Sequence, residues 1–130
     1  MTYDPSLVYI FDDMTFEVGE MFARKILAEH ADVDGIFVNT DLVAIGAITE
    51  FNRQGVNIPE DISIVGFSNW FMSSAITPSL TTINQPGFEM GKMAFKQLYK
   101  ELKAKKKKKD IIPKIIELET NLVKRNSTRE

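Results

Sequence analysis

A chain of 130 residues, 44% hydrophobic and 26% charged, suits one globular domain large enough to bury a core without covalent staples. It has no cysteine, which excludes disulfides and thiolate metal sites, and no apolar run near the ~18–20 residues of a membrane span. The net charge of −2 hides an asymmetry: residues 1–65 hold 12 acids and 3 bases, residues 66–130 hold 6 acids and 13 bases. Much of the basic excess is the run Lys105–Lys109, which has no arginine or aromatic residue interleaved and reads as a solvated loop rather than a nucleic-acid contact.

Leu7–Phe11 (LVYIF) is a continuous apolar run and predicts a strand buried on both faces. Asp12, Asp13 and Met14 follow it. A helix capped by Thr15 or Asp13 is then expected to run to about Glu29, with Val18, Met21, Phe22 and Ile26 on one stripe. Ile36–Val38 predicts the next buried strand, ending in Asn39, Thr40 and Asp41. Thr40 suits the N-cap of a helix over Leu42–Gln54, and Gly55 suits its left-handed end. Gly46 and Ala47 give that helix a thin side for close packing. Ile62–Phe67 predicts a third strand, Ser68–Thr77 a polar and aromatic loop, and Ser79–Asn84 a short strand closed by Pro86. Gly87–Lys103 reads as a helix, with Phe88, Gly91, Phe95, Leu98 and Leu102 on one stripe and lysines 92, 96, 100 and 103 opposite. Ile111–Leu118 and Leu122–Val123 predict two further β segments.

This order predicts an α/β fold with a mostly parallel sheet flanked by helices. In such sheets ligands gather outside the carboxyl ends of the strands. Three polar clusters are expected to meet there: Asp12–Met14, Asn39–Asp41 and Ser68–Trp70.

Catalytic motifs are sparse. The single histidine, His30, falls at a helix end, where a bond to helix carbonyls is expected rather than acid–base chemistry. No glycine-rich phosphate loop of the P-loop or dinucleotide type occurs. Asp12, Asp13 and Asp41 end predicted strands, and three roles suit them: capping or exposure, small-molecule binding, or Mg²⁺ coordination. The reading adopted assigns no catalytic residue, no metal site and no cofactor.

LVYIFDDM resembles the start of a response-regulator receiver domain, in which a strand-end aspartate accepts a phosphoryl group. Asp41 lies only 28 residues after Asp13, however, which leaves room for one helix and one strand where a receiver needs more. A stronger resemblance covers nearly the whole chain. DGIFVNTDLVAIGAI (34–48), VNIPEDISIVGF (56–67), TPSLTTINQP (77–86), MGKMAFKQLYKEL (90–102) and LVKRNST (122–128) resemble the lactose-repressor (LacI-type) family of bacterial transcription regulators.

The resemblance implies an effector-binding core shaped like a periplasmic sugar-binding protein, in which two α/β subdomains close over a sugar or similar small polar molecule. Residues 1–85 and 120–130 match the second subdomain, and 86–119 matches a segment that normally belongs to the first. An N-terminal helix-turn-helix, which this chain does not include, reads the operator in the family, so this chain alone is expected to bind no specific DNA. A cytoplasmic protein with no membrane partner is implied, and a homodimer or swapped oligomer. The candidate ligand-binding residues are Asp13, Met14, Thr40, Asp41, Ser68 and Asn69. Met14 stands where many members stack an aromatic ring, and Ser68 where they usually carry an aspartate. The implied dimer contact is Ile45, Phe71, Met72, Ala75 and Ile76. A piece of a periplasmic sugar-binding protein, which shares the fold, is the alternative.

Overall fold

The structure is a computed structural model that describes residues 4–30, 32–106 and 113–129. Helix α1 (Phe16–Glu29) begins at Thr15, whose Oγ1 accepts from the Val18 N–H at 3.3 Å, the N-cap bond that satisfies an otherwise orphaned donor. Its inner face is Gly19, Phe22, Ala23 and Ile26. Met21, placed on that stripe by periodicity, is instead largely exposed. Helix α2 (Asp41–Arg53) buries Val43, Ala44, Ala47, Ile48 and Phe51. Just beyond it Gly55 adopts φ +78°, the left-handed conformation expected of it.

The two helices touch backbone to backbone through Gly19 and Gly46. A Cβ at Gly19 would lie 2.1 Å from the Val43 carbonyl oxygen, and one at Gly46 2.1 Å from that of Phe16. At the rim of this contact Arg24 pairs with Glu50 at 3.0 Å, and Arg53 pairs with Glu20 and with Glu50.

The sheet contains β1 (Gly35–Phe37), β2 (Ser63–Ser68), β3 (Thr81–Asn84) and β4 (Asn121–Val123), in that order. β1 and β3 each pair with β2 in parallel, with Ile36 opposite Ile64 and Thr82 opposite Gly66. The mostly parallel α/β sheet expected from the sequence is therefore present. Ile62, Ile64, Val38 and Leu80 join the helical residues in one hydrophobic core. Below the first β2–β3 pair the tail wedges between the strands. Ser127 accepts from the Ile64 N–H (2.7 Å) on its carbonyl, donates Oγ–H to the Ile64 carbonyl (2.6 Å), and receives the Thr81 N–H on Oγ (2.8 Å).

Three expectations are corrected. Leu7–Phe11 is not a strand: Pro5–Leu7 forms a 3-10 turn, and the residues after it join no ladder. Tyr9 and Phe11 turn inward to pack edge-on against Phe22, at 5.3 and 6.1 Å, while Val8 and Ile10 face out. Aromatic anchoring to α1 takes the place of pairing with the sheet. β1 is consequently an edge, and Phe37 is 63% exposed where a buried strand was expected. Of the segment Ile111–Leu118, residues 111 and 112 lie outside the described residues and 113–118 form no strand. Residues 107–109 of the lysine run also lie outside them.

The chain divides into two units, Met1–Asn84 with Leu122–Glu130, and Gln85–Asn121. The second is built on α3 (Gly87–Lys106), which buries no residue. Met90, Met93, Ala94 and Gln97 share a cavity of about 440 Å³ with Lys114, Ile116 and Leu118. The expected apolar stripe, Phe88, Phe95, Leu98 and Leu102, lies exposed on another side of the helix.

Candidate functional site

The carboxyl ends of β1, β2 and β3 fall at one edge of the sheet because the three strands run parallel. Asn39 and Thr40 follow β1, Ser68 and Asn69 end and follow β2, and Asn84 ends β3. The residue that ties these ends together is Asp41. It is fully buried, and its carboxylate accepts three hydrogen bonds: Trp70 N–H (2.7 Å) and Ser73 Oγ–H (2.6 Å) on Oδ2, and Thr82 Oγ1–H (2.6 Å) on Oδ1. One side chain at the start of α2 thus fixes the loop after β2 and the middle of β3. The first turn of a helix favours the negative charge. Gly66 makes the space for it: a Cβ there would sit 2.4 Å from Asp41 Oδ1.

This placement corrects the sequence reading of Asp41. With no exposed surface and its carboxylate held by three hydrogen bonds, it organises the rim rather than touching a ligand. It also speaks against Asp41 as the phosphoacceptor of the receiver reading, since a phosphoacceptor must be reachable. Thr40 occupies the N-cap position, yet its side chain makes no cap hydrogen bond and it stays half-exposed.

Ser68 and Asn69 hold the tightest backbone of the rim. Ser68 has φ +131° and Asn69 φ +51°, regions that cost a non-glycine residue of order 1–3 kcal/mol and persist only when neighbours over-determine them. Here Asn69 N–H bonds Thr82 Oγ1 (3.2 Å), Asn69 Nδ2 donates to Asn84 Oδ1 (3.0 Å), and Asn69 Oδ1 accepts from Arg125 Nη2 (2.7 Å).

Asp13 and Met14 line a second part of the edge. With Asn39 they rim a cavity of about 350 Å³ floored by Phe22, Phe37 and Val38. Tyr9 helps to close it. Its hydroxyl donates to Glu29 at 2.8 Å, and burial, followed by that carboxylate bond, pushes its pKa up to about 12. The arrangement is apolar at the base and polar at the lip, with an acceptor at Asp13 and an amide at Asn39. It has the character of a small-molecule subsite. Among the described residues no group of three or more His, Cys, Asp or Glu side chains is placed to hold a metal.

The residues expected at a dimer contact divide. Phe71, 71% exposed, and Ala75 face outward from the turn Phe71–Ser74, beside Trp70, whose ring meets Phe71 edge-on at 5.1 Å. Met72 and Ile76 pack partly against the core. Ile45 is 7% exposed and belongs to that core, so its assignment to an interface is corrected. Arg125, Thr82 and Ser73 were not singled out by sequence. The one local signal was polar Thr81-Thr82 inside a short strand, since buried hydroxyls require partners.

The periplasmic binding protein-like domain family matches residues 6–128. The chain belongs to this family and is of the LacI type. It is 32% identical to the ribose operon repressor of Halalkalibacterium halodurans over 122 residues, covering 94% of this chain and 36% of the repressor. Its fold is similar to that of the transcriptional regulator CelR in complex with cellobiose, with a TM-score of 0.86 and 28% identity, over 98% of this chain and 37% of that one. A LacI family transcriptional regulator from Enterococcus faecium with bound ribose is similar at 31% identity and a TM-score of 0.70, over 89% of this chain and 41% of that one. The LacI-type chain thus spans about a third of the length of the curated repressor it matches. No described helix is long and apolar enough to cross a membrane.

Proposed function

We propose that this LacI-type chain is the ligand-sensing and dimerisation part of a bacterial transcriptional regulator. It supplies one wall of a cleft for a sugar or similar small polar molecule. The observation that carries the reading is the carboxylate of Asp41 drawing three strand ends to one rim, in a fold shared with cellobiose- and ribose-bound regulators. Ser68, Asn69, Asp13, Asn39 and Thr40 are the polar contacts, and Met14 lies against the sugar face. A thioether suits that place by dispersion, without the quadrupole of a ring. Ser68 in place of a carboxylate leaves a weaker, single-point contact. The role is binding rather than catalysis, in the cytoplasm, with DNA reached through another part of the regulator. Trp70, Phe71 and Ala75 form the outer face through which two copies pair.

Trp70 is the only tryptophan and its backbone N–H is bonded to Asp41, so its fluorescence reports on the loop that this bond fixes at the rim. Titration with ribose and with cellobiose is expected to give a saturable change. Silence in fluorescence together with no heat in calorimetry overturns the reading.

A further inference from the structure

We infer that Arg125 is the positioning residue that fixes Asn69 as a hydrogen-bond donor at the rim, so that the ligand group received there is an acceptor oxygen. This rests on the ligand-sensing reading above. An asparagine amide is a donor on one side and an acceptor on the other, and a half-turn about its last bond exchanges them. A guanidinium is a donor only. The atom 2.7 Å from Arg125 Nη2 must therefore be Asn69 Oδ1, and Nδ2 is left to face Asn84 Oδ1 at 3.0 Å. That bond uses one of the two Nδ2 hydrogens, and the other has no partner among the described residues.

Arg125 is itself held. Its Nη1 donates to the Leu80 carbonyl (2.6 Å) and its backbone N–H to Thr81 Oγ1 (2.9 Å), two residues before the Ser127 wedge. Among the described residues it has no carboxylate partner. Its charge is therefore spent on polarising two neutral carbonyl oxygens, and a charge-assisted bond holds the amide more firmly than a neutral one. The turn at Ser68–Asn69 is thus clamped from two sides, by Asp41 from α2 and by Arg125 from the tail. The rim then offers a donor at Asn69. There it selects a ligand that presents a ring, hydroxyl or carbonyl oxygen. An ammonium or amide N–H presented to Asn69 is rejected.

The test uses the whole chain and two variants. In ¹⁵N spectra, the Asn69 side-chain amide, assigned by its loss in Asn69→Asp, is expected to show two resolved hydrogens, the one bonded to Asn84 exchanging slowly. Arg125→Lys keeps the charge but not the fork. It is expected to speed that exchange and to weaken ribose or cellobiose binding, each by roughly tenfold, the effect of one lost charge-assisted bond. Asn69→Asp retains Arg125 as an ion pair and is expected to melt no lower than the parent, yet it has no N–H to give. Its sugar binding should fall by at least as much. Unchanged amide exchange in Arg125→Lys overturns the positioning role, and undiminished sugar binding by Asn69→Asp overturns the donor role. If the parent chain binds neither sugar, the ligand-sensing reading fails, and the exchange measurement still decides the role of Arg125.

Discussion

The two units hold helices of similar amphipathic pattern with opposite fates. In the first, α1 and α2 bury their apolar faces against each other and the sheet, down to glycine backbones in contact. In the second, α3 carries as clear a stripe and buries none of it; Phe95 stacks on Tyr99 at 6.4 Å, and Lys103 lies 4.4 Å above the Tyr99 ring. Periodicity states which face of a helix requires cover. It does not state what covers it, because that depends on long-range partners rather than on local spacing.

The contrast breaks most readily at phenylalanines. Phe51 is 0% exposed and Phe95 69%. Phe51→Ala is expected to cost about 3–5 kcal/mol in urea denaturation, the transfer and cavity penalty of a core aromatic. Phe95→Ala should change stability by no more than about 0.5 kcal/mol, as expected for an exposed position. Equal effects would show that α3 is buried after all. Glycines sharpen the same point. Gly46→Ala drives a methyl into the Phe16 carbonyl and should cost about 1–3 kcal/mol or more in a thermal melt. Gly91→Ala meets nothing within 4 Å and should raise helical ellipticity, with a gain of up to ~1 kcal/mol in local helix stability.

Within the first unit the comparison narrows to the rim. Asp41→Asn removes one acceptor oxygen. The hydroxyls of Ser73 and Thr82 can rotate to adapt but the Trp70 N–H cannot, so a loss of about 1–3 kcal/mol is expected. Gly66→Ala acts on the same carboxylate, and the two losses should be strongly non-additive in a double-mutant cycle. The smallest effect lies at the helix–helix rim. The Gln54 amide, then Arg24 and Arg53, hold the Glu50 carboxyl below the ordinary glutamate value. The folded state therefore binds this proton less tightly than the unfolded chain does. Its contribution is present above pH 4.5 and is lost as pH falls through the lowered value. Glu50→Gln should flatten that acidic limb of the stability profile, lowering stability above pH 4.5 and leaving the acid end nearly unchanged.

Much of the fold was legible. Thr15, Gly55 and the apolar spacing of α1 and α2 announced their helices, and the runs at Ile62–Phe67 and Ser79–Asn84 announced β2 and β3, because caps and burial patterns are local. Leu7–Phe11 misled because strand composition does not specify a ladder partner, and Tyr9 and Phe11 found α1 instead. At the site, the clusters Asn39–Asp41 and Ser68–Trp70 at the ends of β1 and β2 were legible from topology, whereas Asp12–Met14 follows no strand. The role of Asp41 was not legible, since a carboxylate beside a helix start reads alike whether it faces solvent or three buried donors. Arg125 was hidden by distance: it meets Asn69 across 56 residues of chain, and no local spacing signals such a bond.

Whether the strand ends form a ligand wall is read most directly from a ¹⁵N amide map of the chain titrated with cellobiose. The account predicts saturable shifts confined to Asp13, Met14, Asn39, Thr40, Ser68 and Asn69 and their neighbours. Shifts centred on residues 88–102, or none at saturating sugar, would contradict it.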